Sequence, residues 1–414
     1  MSEAPTIDMA DFDPQDLALE DIDVSQRSIW IHDKKMAFFE RLRDEAPIHY
    51  CKDSEYGPYW SVTRYKDIME IDGNWQDFSS EPAITIVEPE DDFPLPMFIA
   101  MDPPVHDEQR KTVQGSVAPA NLKLMEETIR SRTQRVLDDL PIGEQFDWVD
   151  RVSIELTTQM LATLFDFPFE DRRKLTRWSD VATGDEESGI VESEEARQAE
   201  LYECLEYFTR LWHEREEQGE RNDLVSMLAQ GEATKNMTPQ EYLGNLILLI
   251  VGGNDTTRNS MTGGVWALNQ NPGEYAKLRN NPGVIPNMVS EIIRWQTPLA
   301  HMRRIAKKDY VLNGQTINAG DKVIMWYLSG NRDERSIDRP NEFIIDRDKA
   351  RQHLSFGFGV HRCMGNRLAE MQLRILWEEV QKRFHMVEVI GEPKLVPSNF
   401  VHGYTEMQVV LHSH

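Results

Sequence analysis

One cysteine follows a glycine-punctuated loop and directly precedes a predicted helix. The loop reads Phe356-Gly357-Phe358-Gly359-Val360-His361-Arg362-Cys363-Met364-Gly365, and helical patterning starts at Asn366. Because glycine permits close backbone approach, such a loop can accommodate a flat, bulky group. A helix N-terminus favours a thiolate over a thiol through its dipole and its free N–H groups. Cys363 is therefore a candidate metal ligand, although the residue taken alone better fits a buried, inert cysteine.

A second group of reactive side chains lies in the middle of a long predicted helix. Thr238-Pro239-Gln240-Glu241 has the residues of a capping box, and the helical pattern continues to Asn271-Pro272. The run Gly252-Gly253-Asn254-Asp255-Thr256 interrupts its apolar character. Two interpretations remain open. The glycines end one helix and Asp255 caps the next, or one helix continues and presents an acid and an alcohol, a pair suited to proton delivery.

Two further patterns place opposite or complementary polar groups on one helical face. His106 and Arg110 are four residues apart, and Glu291 and Arg294 are three apart. Each pattern taken alone is typical of solvated surface. The apolar neighbours of Glu291 favour a buried ion pair at that position.

Together these motifs resemble the cytochrome P450 family. Each position of the F-G-x-G-x-H-x-C-x-G signature is filled between Phe356 and Gly365, and the other motifs precede it in the family's order. The resemblance implies a mainly α fold with a smaller β-rich part, in which haem lies between a long central helix and the cysteine loop. It implies that Cys363 binds the iron of haem b and that Asp255 and Thr256 are catalytic, supplying protons during use of O2. It implies that Glu291 and Arg294 are structural, and that eight residues contact haem: His106, Arg110, Arg304, His353, Phe356, Gly357, His361 and Gly365.

Length and composition set the frame for these sites. The chain has 414 residues and a formal net charge of -26, which makes nucleic acid an unexpected partner. Residues 1–30 are acidic and aperiodic, so we expect an irregular N-terminal arm, with helical patterning from near Asp33 and a single haem domain over 31–414. The three cysteines are far apart, which fits a cytoplasmic protein without disulfides. No signal peptide or apolar run of about 20 residues is present, so we expect no membrane anchor.

The substrate is indicated by a narrower resemblance. Residues 250–261, 288–299 and 361–367 are similar to the soluble bacterial alkane and fatty-acid terminal hydroxylases, which implies attack on the end methyl of a medium-chain hydrocarbon. Attack there requires a narrow apolar channel, because a primary C–H bond is less reactive than the methylenes beside it. The proline-rich stretch 80–104 either covers such a channel or packs on the core. The candidate lining residues are Ile86, Phe98, Leu249, Gly252, Gly253, Leu299 and Val401.

Two electrons must reach such a site. No G-x-G-x-x-G fingerprint follows a predicted strand, so we expect electrons from NAD(P)H to arrive through a separate ferredoxin reductase and ferredoxin. Basic residues in the run 347–367 could form the docking face, or could instead bind haem carboxylates or pair internally. The candidates for this face are Arg347, Arg351, Arg362 and Arg367.

Three alternatives remain at this level. One is a P450 with another apolar substrate, such as a terpenoid. Another is a peroxide-using haem-thiolate enzyme, which would not need the pair Asp255 and Thr256. The third is a different class of protein, either a haem-binding sensor or a cysteine hydrolase using Cys363 and His361. A red-shifted Soret band of the reduced carbon monoxide complex would identify a thiolate ligand.

Overall fold

The computed structural model describes residues 8–89, 92–186, 188–216, 218–219 and 221–414. The expectation of a mainly α fold with a smaller β-rich part is confirmed, since 53% of the structure is helical. The α-helices in the described residues are α1 (Arg27–Ile31), α2 (Lys35–Glu45), α3 (Tyr65–Gly73), α4 (Val105–Val113), α5 (Pro119–Asp138), α6 (Glu155–Phe165), α7 (Arg173–Thr183), α8 (Glu194–Glu216), α9 (Leu224–Gln230), α10 (Pro239–Gln270), α11 (Pro272–Asn280), α12 (Ile285–Gln296), α13 (Tyr327–Gly330) and α14 (Asn366–Arg383).

Short strands form one larger sheet and three small ones within the described part of the chain. The larger sheet has the order β1-β2-β8-β5-β3, in which β2 and β8 are parallel and the other pairs are antiparallel. The smaller sheets are β4-β12-β9, β6-β7 and β10-β11. The strands are β1 (Ile48–Cys51), β2 (Tyr59–Val62), β3 (Phe78–Ser79), β4 (Gln145–Asp147), β5 (Met302–Ala306), β6 (Tyr310–Leu312), β7 (Gln315–Ile317), β8 (Lys322–Met325), β9 (Phe384–Val389), β10 (Lys394–Leu395), β11 (Tyr404–Glu406) and β12 (Gln408–Ser413).

Helix α10 runs through the core and confirms the prediction of one long helix. The capping box forms, with the Thr238 side chain accepting from the backbone of Glu241 and the Glu241 side chain accepting from the backbone of Thr238. The helix is continuous through Gly252 and Gly253, so the alternative that these glycines separate two helices is wrong. Glycines also let its neighbours approach: a Cβ on Gly263 would lie 2.0 Å from Gln296 at the end of α12.

The N-terminal segment is packed more closely than the expected arm. Residues 1–7 lie outside the described residues, and residues 8–26 contain three 3₁₀ turns. Met9, Ile22, Val24 and Trp30 are buried in one apolar cluster with residues of α2 and of the large sheet. Helix α1 starts at Arg27, so the expectation of irregular structure to residue 30 is corrected. No periodic sequence pattern marks this packing, because Met9, Ile22 and Val24 enter the core from short turns and connecting segments.

None of the helices in the described residues is long and apolar enough to cross a membrane.

Candidate active site

The cysteine loop is shaped by two glycines in the left-handed region. Gly357 has φ +67° and Gly359 has φ +73°. A Cβ on Gly359 would lie 2.6 Å from the carbonyl oxygen of Asp72, so the loop also lies directly against the end of α3. The backbone N–H of Cys363 donates to the carbonyl of Phe356 at 2.8 Å, and α14 begins at Asn366. The sequence prediction of a tight glycine loop before a helix is confirmed.

Cys363 is surrounded by backbone donors and positive charges. Burial raises its pKa, while the backbone N–H groups of Gly365 and Asn366 and the charges of Arg110 and Arg362 lower it. The side chain nevertheless has exposed surface. Removal from water outweighs the helix terminus, so these donors alone do not produce the predicted thiolate. A metal cation would supply the opposite charge that these donors alone do not.

One face of α10 presents open space and apolar side chains. A Cβ built on Gly252 meets nothing within 4 Å. Leu248, Val251 and Thr256 are partly exposed, and their spacing places them with Gly252 on one helical face. The hydroxyl of Thr256 donates to the carbonyl of Gly252 at 2.9 Å. Sequence reasoning missed Leu248 and Val251, although the spacing from Thr256 back along the helix could have identified both.

Three predicted lining residues lie elsewhere. A Cβ on Gly253 would lie 2.6 Å from the side chain of Leu161 in α6, so this glycine serves helix packing. Leu249 is buried in the apolar cluster beside α6, α7 and α8. Ile86 is fully buried with the N-terminal segment, and its N–H donates to His301. Gly253 therefore faces α6, whereas Gly252 faces the open space.

The other predicted lining residues differ in how far they are buried. Leu299 is partly exposed and forms a β-bridge with Val401, which is buried. Phe98 is buried, and its backbone N–H donates to the Asn245 side chain of α10 at 2.9 Å. A Cβ on Gly244 would lie 2.1 Å from the carbonyl of Pro96, so the stretch 95–98 lies directly on α10. The second half of the proline-rich stretch therefore covers the N-terminal part of this helix.

Histidines and arginines gather beside the cysteine loop. The rings of His106 and His361 are 4.2 Å apart, and Arg110 donates to the carbonyl of Arg362 at 2.5 Å. His361 bonds to Ser80, but its Nδ1 and the Nε2 of His106 lack partners within the described structure. Burial lowers the pKa of His361 to about 2, and the charge of Arg304 acts in the same direction.

Buried polar atoms without partners indicate a ligand that would satisfy them. Neutral imidazoles and arginines are donors for carboxylates, which suits an anionic group with acid side arms. His353 has the same property, since its Nδ1 is buried without a partner in the described structure and burial lowers its pKa to about 3. Its ring lies 5.4 Å from that of Phe356. The predicted contacts His106, Arg110, Arg304, His353 and His361 thus lie around the cysteine loop, and their chemistry fits haem.

Asp72 is a residue that sequence reasoning missed. This buried carboxylate accepts from Arg304 at 2.6 Å, from the hydroxyl of Tyr327 at 2.6 Å and from the backbone N–H of Phe358 at 2.8 Å. It therefore joins α3, β5 and the cysteine loop. No local pattern marks it, because its partners come from distant parts of the sequence.

Asp255 and Thr256 point in different directions from α10. The carboxylate of Asp255 accepts from Arg258 at 2.8 Å and from Ser179 of α7 at 3.1 Å, while Thr256 faces the open side. Burial raises the pKa of Asp255, and the charge of Arg258 offsets part of that rise. Arg258 also contacts Asp180 at 2.9 Å, and the Asp180 side chain is 31% exposed. Asp255 therefore contacts an ion pair that reaches the protein surface. The Thr256 hydroxyl lies on a different side of α10.

The predicted pair Glu291 and Arg294 is completely buried, with nitrogen–oxygen distances of 2.8 Å. Glu291 also binds Arg347 at 2.9 Å. The expectation that Arg347 belongs to a docking face is therefore wrong, since its guanidinium is occupied inside the protein. Arg351 is mostly exposed and contacts Glu370 at 3.2 Å, and Arg362 and Arg367 are exposed.

Comparisons with known proteins agree with this site. The family model for Cytochrome P450 matches residues 142–403. The chain is 33% identical to linalool 8-monooxygenase of Pseudomonas putida over 385 residues, covering 90% of this chain and 94% of the relative. It is 30% identical to methyl-branched lipid omega-hydroxylase of Mycobacterium tuberculosis (strain ATCC 25618 / H37Rv) over 412 residues, covering 96% of each chain. The structure of Cytochrome P450-153 from Novosphingobium aromaticivorans is similar with a TM-score of 0.88 and 48% identity, covering 94% of this chain and 99% of that one.

The family match, the cysteine loop and the long helix opposite it lead to one conclusion: this chain belongs to the cytochrome P450 family and is a haem-dependent monooxygenase.

Proposed function

We propose that the protein hydroxylates the terminal methyl group of medium-chain alkanes or fatty acids, using O2 and two electrons from a ferredoxin. The observation that carries this proposal is the apolar face of α10. Leu248 and Val251 lie on the same face as Gly252 and Thr256, and the cover formed by residues 95–98 lies over the preceding turns. An apolar helix face beside open space suits a flexible chain that enters by its end.

When bound, haem with a thiolate ligand supplies the reductive activation of O2 and oxygen insertion into a C–H bond. Cys363 would bind the iron, and the backbone N–H groups of Gly365 and Asn366 would stabilise its charge. Arg110, His106 and His361 would hold the haem carboxylates. Thr256 would offer its hydroxyl on the substrate side, and Asp255, held by Arg258 and Ser179, would be the buried acid that gives and takes up a proton.

The relatives support hydroxylation of an apolar substrate and leave its class to experiment. One relative is named as a lipid omega-hydroxylase, which supports attack at a chain end. Another is named as a linalool 8-monooxygenase, so a terpenoid is the second candidate substrate. Cys51 and Cys204 are buried free thiols, which fits the reducing cytoplasm where we place the reaction.

Product analysis tests the proposed reaction. The purified haem-loaded protein is supplied with a [2Fe–2S] ferredoxin, its reductase and NADH, and is offered octane, dodecanoic acid and linalool in parallel. We expect mainly 1-octanol or the ω-hydroxy acid, because end-on entry exposes only the terminal methyl. A carbon monoxide difference spectrum first verifies the thiolate ligand. Mainly subterminal alcohols, or turnover of linalool alone, would contradict terminal hydroxylation without affecting the family assignment.

The two adjacent glycines of α10 provide a test of the channel wall. Gly252→Ala places a methyl in the open space, so we expect substrate affinity to fall about tenfold, as for a misplaced methyl in an apolar pocket. Gly253→Ala instead presses on Leu161 of α6, so we expect a stability loss of about 1 kcal/mol with unchanged affinity. The measurements are substrate-induced Soret shifts and urea unfolding. The reverse pattern would mean that Gly253 and not Gly252 lines the channel.

A further inference from the structure

We propose that Phe358 is the apolar anchor of the surface on which the electron-donor protein docks. This inference rests on the proposed ferredoxin partner and names the residue that such a partner would contact. Phe358 belongs to the cysteine loop and precedes the candidate ligand by five residues. Its side chain is 41% exposed, and Gly73, Gly359 and Arg362 around it are exposed as well. The ring therefore lies on the outer surface of the loop that carries the thiol.

Phe358 is held firmly for an exposed residue. Its backbone N–H donates to the buried carboxylate of Asp72, which Arg304 and Tyr327 fix in turn. Its ring lies across Gly73, where a built Cβ would be 3.4 Å from two ring carbons. An aromatic side chain fixed before binding loses little conformational entropy when a partner arrives, which is typical of residues that dominate interface energy.

The positive charges near the Phe358 ring favour an acidic partner protein. Arg362 and Arg367 are exposed and form no ion pair with any residue that the structure describes, and the same holds for Lys111 of α4. The neighbouring Arg110 is the residue that bonds to the Arg362 carbonyl, so α4 lies beside this surface. In a chain with net charge -26, Arg362 in the loop and Arg367 in the first turn of α14 supply positive charge beside the loop. Such charge steers an acidic protein toward the loop, while the apolar ring contributes to retention.

The aromatic ring also has a position suited to electron delivery. The carbonyl of Phe356 accepts from the N–H of Cys363. This hydrogen bond closes the loop that carries both the Phe358 ring and the Cys363 thiol. A partner seated on Phe358 would be placed against the loop that holds the iron ligand. The arrangement therefore favours a small acidic electron-transfer protein with an apolar patch beside its redox centre.

The test measures binding and electron transfer separately, with an acidic plant-type [2Fe–2S] ferredoxin as the probe. For Phe358→Ala in the haem-loaded protein, we expect Kd from calorimetry to rise about tenfold, with little change in its salt dependence. For Arg362→Glu, we expect a similar rise that diminishes at high salt, because exposed charges are screened. Haem reduction by the ferredoxin at subsaturating concentration should slow in parallel, whereas reduction of Phe358→Ala by dithionite should not change.

Matched variants separate anchoring from loop damage. Phe169→Ala removes another exposed phenylalanine, 44% accessible and outside the cysteine loop, and should leave ferredoxin affinity unchanged. Phe358→Leu keeps an apolar contact with Gly73 and should weaken binding about threefold, provided its carbon monoxide spectrum matches the parent. Unchanged affinity in Phe358→Ala would overturn the anchor and leave the ferredoxin partner in place. No salt-sensitive binding by the parent protein would instead remove the partner from the proposed function.

Discussion

Asp255→Asn should lower the turnover of substrate about 100-fold while leaving the fold intact. The change keeps the size of a buried side chain and removes its ability to accept and release a proton, which typically contributes 10²–10⁴-fold. Burial raises the pKa of this carboxyl, so it can hold a proton more readily than an exposed acid. The measurements are turnover per haem, coupling of NADH use to product, and the solvent deuterium isotope effect. We expect coupling to fall and the isotope effect to rise.

Asp180→Asn provides the matched comparison for this prediction. Asp180 contacts the same Arg258 but is partly exposed, so water can replace its contact with the guanidinium. We expect turnover to fall by less than tenfold. If Asp255→Asn reduced stability and turnover together without a change in the isotope effect, Asp255 would be a structural partner of Arg258 and α7. Equal effects of both variants would instead point to the orientation of Arg258 as the common cause.

The features predicted correctly from the sequence depend on local chemistry. The capping box at Thr238 and Glu241, the glycines at 357 and 359, and the helix after Cys363 each involve residues close together in the chain. Backbone hydrogen bonds and permitted dihedral angles link such residues directly, so their spacing carries the structure. The long central helix follows for the same reason.

The directions in which side chains point could be predicted less accurately from the sequence. Gly252 and Gly253 are adjacent, and only the packing of α6 shows which of them faces the open space. Ile86 was expected in the channel because its stretch is apolar and broken by prolines. Arg303 donates to the Val87 carbonyl and Lys322 donates to the Ile86 carbonyl, and these bonds fix that part of the stretch to the large sheet. Contacts of this kind join residues more than 200 positions apart, so local patterns do not reveal them.

Local sequence patterns also do not show whether a charged residue lies on the surface or inside the protein. The basic run near the cysteine suggested one docking face, but Arg347 turns inward to Glu291 whereas Arg362 and Arg367 remain exposed. Asp72 had no sequence signal at all, although it binds the cysteine loop and Arg304 together. Whether a charge lies on the surface or inside depends on its partner, and that partner is a property of the fold.

Glu291→Gln should lower the free energy of unfolding by about 3–5 kcal/mol, the usual cost of leaving a buried charge without its partner. Glu291 neutralises both Arg294 and Arg347 and also accepts from the N–H of Ile344 at 2.9 Å. Arg332 lies buried nearby, and burial lowers its pKa while the charge of Arg294 acts in the same direction. The substitution would therefore leave several cations in a low-dielectric interior without a carboxylate. Urea unfolding of the parent and the variant, each with haem loaded, measures the difference.

Glu370→Gln is the control, because it breaks a pair with the mostly exposed Arg351 and should cost about 0–1 kcal/mol. Glu291 also holds the approach to the active site. Arg294 donates to the carbonyls of Asn331 and Pro340, and Arg347 donates to that of Glu342, so Glu291 orders the segment that leads into the cysteine loop. Loss of stability in Glu291→Gln should therefore be accompanied by loss of the thiolate-type carbon monoxide band. Similar small costs in both variants would mean that water reaches Glu291, and the motif would then organise the loop less strongly than its buried geometry indicates.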